Sequence, residues 1–389
     1  MADITKTMAD SAGFIPEIWA NAALEVLRSQ SVLARIATKD TDIEGSFQVG
    51  DILHVPYPGT FSANDKAADG TVTVQTPSNG AEVQVALNKH KEVTFIVEDA
   101  ARAQSNQDLL NRYVNAAAPA LIDAIEGDLF QAASAMTNFS GAAGTDLAAG
   151  DVRTARKALN IQKAPMSPRA LVVSPKDEIA LMGDTNLQTF FASAQAQTVA
   201  NGTPPRLYGF DTLMSQLVPV GALVTLGSQA SGTFTLTYNG QTSGTIAYNA
   251  AASAVVTALE ALTTIGAGNV EVTGNTGGPY TIRMKGTKGG GTGSFTANFA
   301  SLATPANASI KDAFYNLAMN PSALILAMRP IQVPNDVNVR AAVMRDDLSG
   351  LVVRVLYSYN PSYLGIQVTL DVLYGTKLLR NEKGLIVTS

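Results

Sequence analysis

QDLLNRYVNAAAPALIDAIEGDLFQAASAM, residues Gln107 to Met136, carries the most sustained helical pattern in the chain. Apolar side chains recur every three or four positions, which predicts one continuous stripe along a helix. The stripe consists of Leu110, Val114, Ala117, Leu121, Ile125, Leu129, Ala132 and Met136. Such a helix would be about 45 Å long, and we expect a kink or a restart at Pro119, which has no amide hydrogen. Taken alone, the pattern is most typical of a core helix in an α+β domain.

Composition limits the classes of function. A chain of 389 residues is long enough for two or three domains. Only 15% of the residues are charged, which suits either extensive contact between subunits or an ordinary domain rich in Ala, Gly and Thr. The net charge of −5 gives no basic field for nucleic acid. Without cysteine there is no disulfide, thiolate nucleophile or cysteine metal site.

The start of the chain predicts an N-terminal arm rather than a targeting segment. No basic region followed by an apolar core is present, so we expect no signal peptide. No run of eighteen apolar residues occurs, so no transmembrane helix is expected. Residues 1 to about 40 favour an arm with a short helix, in which Trp19 anchors against the same subunit or a neighbour.

From Gly45 the apolar pattern alternates with a period of two, which indicates strands. The predicted strands are Phe47–Tyr57, Thr71–Pro77, Ala81–Asn88 and Val93–Val97. With a polar tip at Thr60–Gly70, they predict a long β-arm of two or three strands leading into the helix. Because an isolated hairpin is marginal in water, we expect the arm to lie on another surface, such as a sister subunit.

The order of elements after the long helix predicts a mixed α/β domain followed by long strands. The predicted helices and buried strands are Asp151–Ile161, Ala170–Pro175, Lys176–Met182, a strand pair in Leu207–Val220, a short helix or turn at Asp312–Met319, and Ala323–Met328. The alternating strands near the end are Val337–Met344, Leu351–Tyr359 and Tyr363–Leu379.

Residues 221–309 differ in composition from their surroundings. They contain five charged residues and 15 of the 32 glycines. A hairpin at Asn239-Gly240 and a helix at Ala251–Leu262 are followed by strands at Val270–Thr273, Tyr280–Met284 and Ser294–Phe299. This predicts an inserted ββαββ domain with its own core, and Ala303–Ser309 would be the return linker.

The sequence predicts no catalytic, cofactor-binding or metal-binding residues. His54 and His90, the only histidines, lie in separate predicted strands without a third ligand at a recognised spacing. The glycines of residues 289–293 resemble a phosphate cradle only in composition, so we predict a flexible hairpin tip. Asp346 and Asp347 fit a turn better than a cation site. No catalytic role is assigned to the acidic side chains of the long helix, which are Asp123, Glu126 and Asp128.

The order of arm, β-arm, long helix, α/β domain and C-terminal strands resembles the major capsid protein of tailed bacteriophages, which has the Hong Kong 97-type fold. Three stretches carry the resemblance: EVTFIVEDAARAQSNQDLLNRYV (Glu92–Val114), FYNLAMNPSALILAMRPIQ (Phe314–Gln332) and VRVLYSYNPSYLGIQVTLDVLYGTKLLRNEKGLIV (Val353–Val387). The last contains the Tyr-Gly-x-x-x-Leu-Arg pattern from Tyr374 to Arg380. The resemblance covers nearly everything except residues 221–309.

The resemblance implies an α+β fold with the following division of the chain. The parts are an N-terminal arm (1–44), an extended β-loop (45–91), a peripheral domain with the spine helix (92–150), an axial domain in two parts (151–220 and 310–332), an inserted accessory domain (221–309) and the C-terminal strands of the peripheral domain (333–389).

The resemblance also implies a function and a set of partners. The chain would assemble through pentamers and hexamers into the icosahedral head around the double-stranded DNA of a tailed phage, without sequence-specific DNA binding. Expected partners are identical subunits, a portal, a separate scaffolding protein and a decoration or cement protein; no membrane, cofactor or enzymatic activity is expected. The scaffold is expected to be separate because only about 45 residues precede the β-arm. Assembly would occur in the host cytoplasm and leave the chain in the virion.

Three other functions fit the same sequence. One is an encapsulin-like nanocompartment shell, which has the same fold but holds a protein cargo. The second is a phage tail or adhesion protein, and the third is an α/β enzyme with an accessory domain.

Overall fold

A computed structural model describes residues 31–39, 52–55, 61–66, 68–75, 82–100, 109–184, 206–331, 339–345 and 351–389. The helices are α1 (Leu33–Ile36), α2 (Leu109–Ala133), α3 (Ala149–Ile161), α4 (Pro175–Gly183) and α5 (Ala252–Glu260). Short 3-10 helices occur at Gly286–Lys288, Pro305–Asn307, Pro321–Ala323 and Asn381–Lys383. Trp19, Asp346 and Asp347 lie outside the described residues, as do the side chains of Leu110 and Val114.

More of the described residues lie in strands than in helices. They are β1 (Thr38–Lys39), β2 (Ile52–Val55), β3 (Val83–Ala86), β4 (Lys89–Glu98), β5 (Phe139–Gly141), β6 (Ala170–Val173), β7 (Asp211–Met214), β8 (Val220–Thr225), β9 (Thr233–Tyr238), β10 (Gln241–Thr242), β11 (Ile246–Ala247), β12 (Val270–Gly274), β13 (Tyr280–Met284), β14 (Phe295–Asn298), β15 (Ser309–Met319), β16 (Leu324–Arg329), β17 (Val339–Arg345), β18 (Val352–Asn360), β19 (Gly365–Leu378) and β20 (Gly384–Thr388).

Helix α2 packs on a six-stranded sheet. The strand order is β1-β16-β19-β18-β17, and β4 pairs with β19. Leu121, Ile125 and Leu129 of the helix share one buried cluster with Val368 and Val372 of β19. The predicted stripe is therefore the face that meets the sheet.

The helix does not restart at Pro119, which lies inside α2. Proline removes one amide hydrogen bond to the carbonyl four residues earlier, at a cost of about 3 kcal/mol. Ala117, Ala118, Leu121 and Ile122 on both sides of it are buried. Packing of this face on the sheet offsets the missing hydrogen bond, since tertiary contacts supply most of the stability of helices in proteins.

The second large sheet is organised around β15. The first half of this strand, Ser309 to Phe314, pairs with β8, and the second half pairs with β20 on one side and β6 on the other. The predicted short helix or turn at Asp312–Met319 is therefore wrong. Its Ala, Leu and Met residues favour a helix locally, but pairing with distant strands decides the conformation, and every residue of Tyr315–Met319 is buried.

The predicted strand pair in Leu207–Val220 is also wrong. Strand β7 pairs in parallel with β6, whereas β8 pairs with β13 and β15. Just before β7, Leu207 forms only an isolated bridge to Phe210 around a tight turn, with positive φ at Tyr208 and Gly209. The two alternating runs are therefore neighbours in sequence and lie in different parts of the same sheet.

Residues 222–310 share a hydrophobic cluster of their own. It lies between helix α5, the four-stranded sheet of β9, β10, β11 and β14, and the strands β8, β12 and β13. The predicted Asn-Gly turn is present, with φ of 47° at Asn239 and 79° at Gly240. The predicted linker at Ala303–Ser309 contains a 3-10 helix and the first residue of β15. This cluster is joined to the rest of the sheet through β8 and β15.

In the β-arm, β2 and β3 pair antiparallel with Ile52 opposite Ala86. Strand β4 pairs with β19 instead, so it belongs to the six-stranded sheet. The described part of the predicted strand Thr71–Pro77, residues 71–75, is not in a strand. Among the residues that the structure describes, no strand pairs with this segment to form a ladder.

Candidate functional site

Each histidine contacts a carboxylate that lies on or beside a neighbouring strand. Nδ1 of His54 lies 2.9 Å from Oε1 of Glu82, and Nε2 of His90 lies 2.9 Å from Oδ2 of Asp371. Arg354 also contacts Asp371, at 2.5 Å. In the part of the chain that the structure describes, no three His, Asp or Glu side chains form a group that could hold a metal ion. These pairs therefore connect strands.

Asp177 is the centre of a buried polar network. Its Oδ2 atom accepts hydrogen bonds from Ser174 Oγ, Asn316 Nδ2 and Ser389 Oγ, at 2.7 to 2.8 Å. The network connects the start of α4 with β15 and the residue after β20. It stabilises the junction of these elements, because a buried carboxylate is costly unless donors surround it.

Glu126, on the buried face of α2, holds the segment that contains α1. Its carboxylate accepts hydrogen bonds from the backbone N–H groups of Val32, Leu33 and Ala34, each at 2.9 Å. Burial raises the pKa of Glu126, although these three hydrogen bonds act in the opposite direction. Sequence patterns do not predict this role of Glu126, because the three amides lie 92 to 94 positions away.

The glycine-rich loop at residues 289–293 packs on α2, so the prediction of a flexible hairpin tip is wrong. A β-carbon on Gly290 would lie under 3.0 Å from the carbonyl oxygen of Gly127, and one on Gly289 under 3.0 Å from Ser134 Oγ. Only glycine allows such a close approach of two backbones. The glycines are therefore required by a contact with the helix rather than by mobility.

Arg283 strengthens the same contact at the end of α2. Its Nη1 atom donates to the carbonyl of Ser134 at 2.8 Å, and Nη2 lies 2.6 Å from Oε2 of Glu271. The guanidinium also lies over the ring of Phe139, 4.8 Å from its centroid. A cation at the C-terminal end of a helix is favourable because the last carbonyls there carry partial negative charge.

The arm carries large apolar side chains that are exposed to solvent. Phe61, Val72 and Val74 are 64%, 66% and 84% exposed. The two legs of the arm meet where Ser62 N–H donates to Oε1 of Gln75 at 3.0 Å. The arm is thus an extended element whose apolar side chains and backbone groups are available to a partner.

No helix among the described residues is both long and apolar enough to span a bilayer. No family model and no curated protein matches the sequence. Solved structures do match: one from Mycobacterium phage Che8 has a TM-score of 0.50 and 16% identity, covering 92% of this chain and 91% of that chain. The capsid structure of the cyanophage P-SCSP1u has a TM-score of 0.50 and 12% identity, covering 92% of this chain and 87% of that chain. The chain therefore has the α+β, Hong Kong 97-type fold of phage capsid subunits that its sequence resembles.

Proposed function

We propose that this protein is the major capsid protein of a tailed bacteriophage. Copies assemble through pentamers and hexamers into an icosahedral head around double-stranded DNA, and the protein is structural rather than enzymatic. The exposed arm is the observation that supports assembly most directly, because its large apolar side chains are mostly exposed in the subunit. The likeness to phage capsid structures supports the same function.

The proposal includes the division of the chain stated above. The six-stranded sheet with α2 would form most of the peripheral domain, and α3, α4 and the adjoining part of the β15 sheet would form the axial domain. Residues 221–309 would be the inserted domain, supported by their separate hydrophobic cluster. Strand β20 pairs with β15, so the last strand would belong with the axial domain rather than with the other C-terminal strands.

The proposed partners follow from this function. They are identical subunits, a separate scaffolding protein, a portal, a decoration protein and packaged DNA held without sequence-specific contacts. Assembly would take place in the host cytoplasm and the product would be the virion.

Electron microscopy of the expressed protein, alone and with its scaffolding protein, tests the proposal. Closed shells of uniform size are expected. Isolated subunits under all conditions, or open tubes, would contradict it. Shells that enclose a protein cargo rather than DNA during infection would favour a nanocompartment instead.

A further inference from the structure

A cleft of about 790 Å³ lies where three parts of the protein meet. Its walls come from residues 84–89, from the C-terminal end of α2 and from residues 271–287. The close approach of Gly290 to α2 and the hydrogen bond from Arg283 to the carbonyl of Ser134 hold two of these walls together. The walls are therefore set by contacts within one chain, and every residue that lines the cleft is among those that the structure describes.

The cleft carries a local excess of positive charge on an acidic protein. The whole chain has a net charge of −5 at pH 7. The cleft, in contrast, is lined by four cations and two carboxylates, which are Lys89, Arg283, Lys285, Lys377, Asp128 and Glu271. This leaves two positive charges in a concave site, and such a site concentrates anions from the solvent.

Both carboxylates of the cleft are already paired. Oδ1 of Asp128 lies 2.9 Å from Nζ of Lys89, and its Oδ2 atom accepts a hydrogen bond from the hydroxyl of Tyr374 at 2.6 Å. Oε2 of Glu271 lies 2.6 Å from Nη2 of Arg283. The excess charge therefore resides on the two remaining ammonium groups.

Those two ammonium groups have no partner in the subunit. Within the described ranges, the side chains of Lys285 and Lys377 form no ion pair and no hydrogen bond. The same is true of three amide side chains in the cleft wall, which belong to Gln84, Asn88 and Gln131. Ammonium groups only donate hydrogen bonds, and amides donate through their nitrogen. The cleft thus offers several free donors together with two uncompensated charges.

A phosphate group matches this set of donors better than a carboxylate does. A phosphate ester carries about 1.5 to 2 negative charges at pH 7 and three strong acceptor oxygens. A carboxylate carries a single charge on two oxygens. Lysine is a common phosphate ligand because its ammonium group acts as a point charge with three donors. One phosphate group would therefore balance the charge excess that two lysines create here.

We propose that this cleft binds a phosphate group, which Lys285 and Lys377 hold between them while the unpartnered amides donate further hydrogen bonds. The cleft is larger than a phosphate group, so it also accommodates part of the molecule to which the phosphate is attached. This inference goes beyond the proposed function, because it requires only one folded subunit. Free phosphate compounds and the backbone of DNA offer the same chemistry, and the experiment distinguishes them.

Calorimetric titration of the soluble subunit with pyrophosphate at low salt tests the site. The unmodified protein should bind pyrophosphate, and the affinity should fall as salt is added, because salt screens the charges. Lys285→Gln with Lys377→Gln should raise the dissociation constant at least about tenfold, because two charged hydrogen-bond donors are lost. Both side chains are at least partly exposed, so this variant should remain folded.

A matched control removes the same charge elsewhere. Lys157→Gln with Lys163→Gln changes two exposed lysines that do not line the cleft. The dissociation constant of this control should change less than about twofold, because distant exposed charges are screened. An equal loss of affinity in both variant pairs would show a general effect of net charge and would overturn the inference.

Competition experiments identify the source of the phosphate. If a short DNA duplex displaces pyrophosphate, the site contacts the DNA backbone; if it does not, the site takes free phosphate compounds, and either result supports a phosphate site. Failure of pyrophosphate to bind at low salt would overturn the inference, as would equally tight binding of succinate, which carries carboxylates only. Formation of shells is not needed for any of these measurements, so its failure would remove the proposed function alone.

Discussion

Gly290 lies against the backbone of Gly127, so the glycine-rich loop and helix α2 are in contact without side chains between them. A β-carbon on Gly290 would come under 3.0 Å from the Gly127 carbonyl oxygen and 3.3 Å from the backbone nitrogen of Gln131. A β-carbon on Gly127 itself would meet nothing within 4 Å. The contact is thus asymmetric, because only the loop side requires glycine.

This asymmetry gives opposite effects for two alanine substitutions. Gly290→Ala should lower the free energy of unfolding by about 1–3 kcal/mol, because the loop must move away from the helix. Gly127→Ala should raise it by up to about 1 kcal/mol, since alanine favours helix more than glycine does. Denaturant unfolding of the soluble subunit measures both, with Gly244→Ala, where a β-carbon also meets nothing, as control. Equal effects at the two sites would show that the loop does not press on α2.

The contacts of Arg283 should contribute measurably to stability. Arg283→Met removes the hydrogen bond to Ser134 and leaves Glu271 without its cation, so a loss of about 1–3 kcal/mol is expected. Glu271 is itself partly exposed, so most of this loss should come from the helix end. Unfolding curves of Arg283→Met and of Glu271→Gln separate the two contributions. A larger loss for Glu271→Gln would contradict this assignment.

The stability of the protein should depend on pH through Glu126. Burial raises its pKa above the ordinary value of 4.5, so the folded protein binds this proton more tightly than the unfolded chain does. The stabilising contribution is therefore complete below the unfolded pKa and is lost as the pH rises through the folded pKa.

Glu126→Gln removes this titration. The free energy of unfolding of the variant, relative to that of the unmodified protein, should increase as the pH rises above the ordinary carboxyl pKa, because only the unmodified protein loses stability there. Unfolding of the soluble subunit at a series of pH values measures this difference, and Glu98→Gln, at an exposed position, provides the control. Parallel pH profiles for Glu126→Gln and the unmodified protein would refute the role of Glu126.

The exposed valines of the arm should matter for assembly and not for folding. Val72→Ser with Val74→Ser should change the free energy of unfolding of the subunit by less than about 0.5 kcal/mol, as is usual for exposed positions. The yield of shells seen in the electron microscope should fall if assembly buries these exposed side chains between copies, as the proposed function requires. The control variant, Thr71→Ser with Thr73→Ser, alters the same segment but removes less apolar surface than the two valine substitutions do. Normal yields for the valine variant would show that the arm assembles through other groups.

A broader change tests the arm as a whole. Deletion of residues 60–70 should leave a folded subunit, because none of the described residues in this range belongs to a strand. Closed shells should no longer form. Their appearance at normal size would show that the arm is not required for assembly.

Local sequence patterns predicted the elements whose contact partners are close in sequence, or whose apolar residues recur with a regular period. The stripe from Ala117 to Leu129 identified α2, and Asn239-Gly240 identified a hairpin turn. Strand β15 was missed because its residues favour a helix and only distant strands reverse that preference. Whether the glycines of residues 289–293 were mobile or tightly packed could not be decided from composition, since both situations select glycine.

The long-range hydrogen bonds that connect separate elements of the fold could not be predicted from the sequence. Glu126 and the amides that it accepts are separated by more than 90 positions, and Arg283 and Ser134 by 149. A single carboxylate or arginine has no periodicity, so its role depends on the fold around it. The resemblance of Phe314–Gln332 and Val353–Val387 to capsid proteins supplied the fold where periodicity could not.

Strand β15 passes without interruption from the cluster of residues 222–310 to the partners β6 and β20. Its eleven residues form one continuous strand that belongs to both ends of the sheet. Any tilt of residues 222–310 must be transmitted along β15 to the last strand of the chain, unless backbone hydrogen bonds between the strands break. A force applied to residues 222–310 would thus reach the hydrogen-bond network of Asp177 and Ser389 through the same strand.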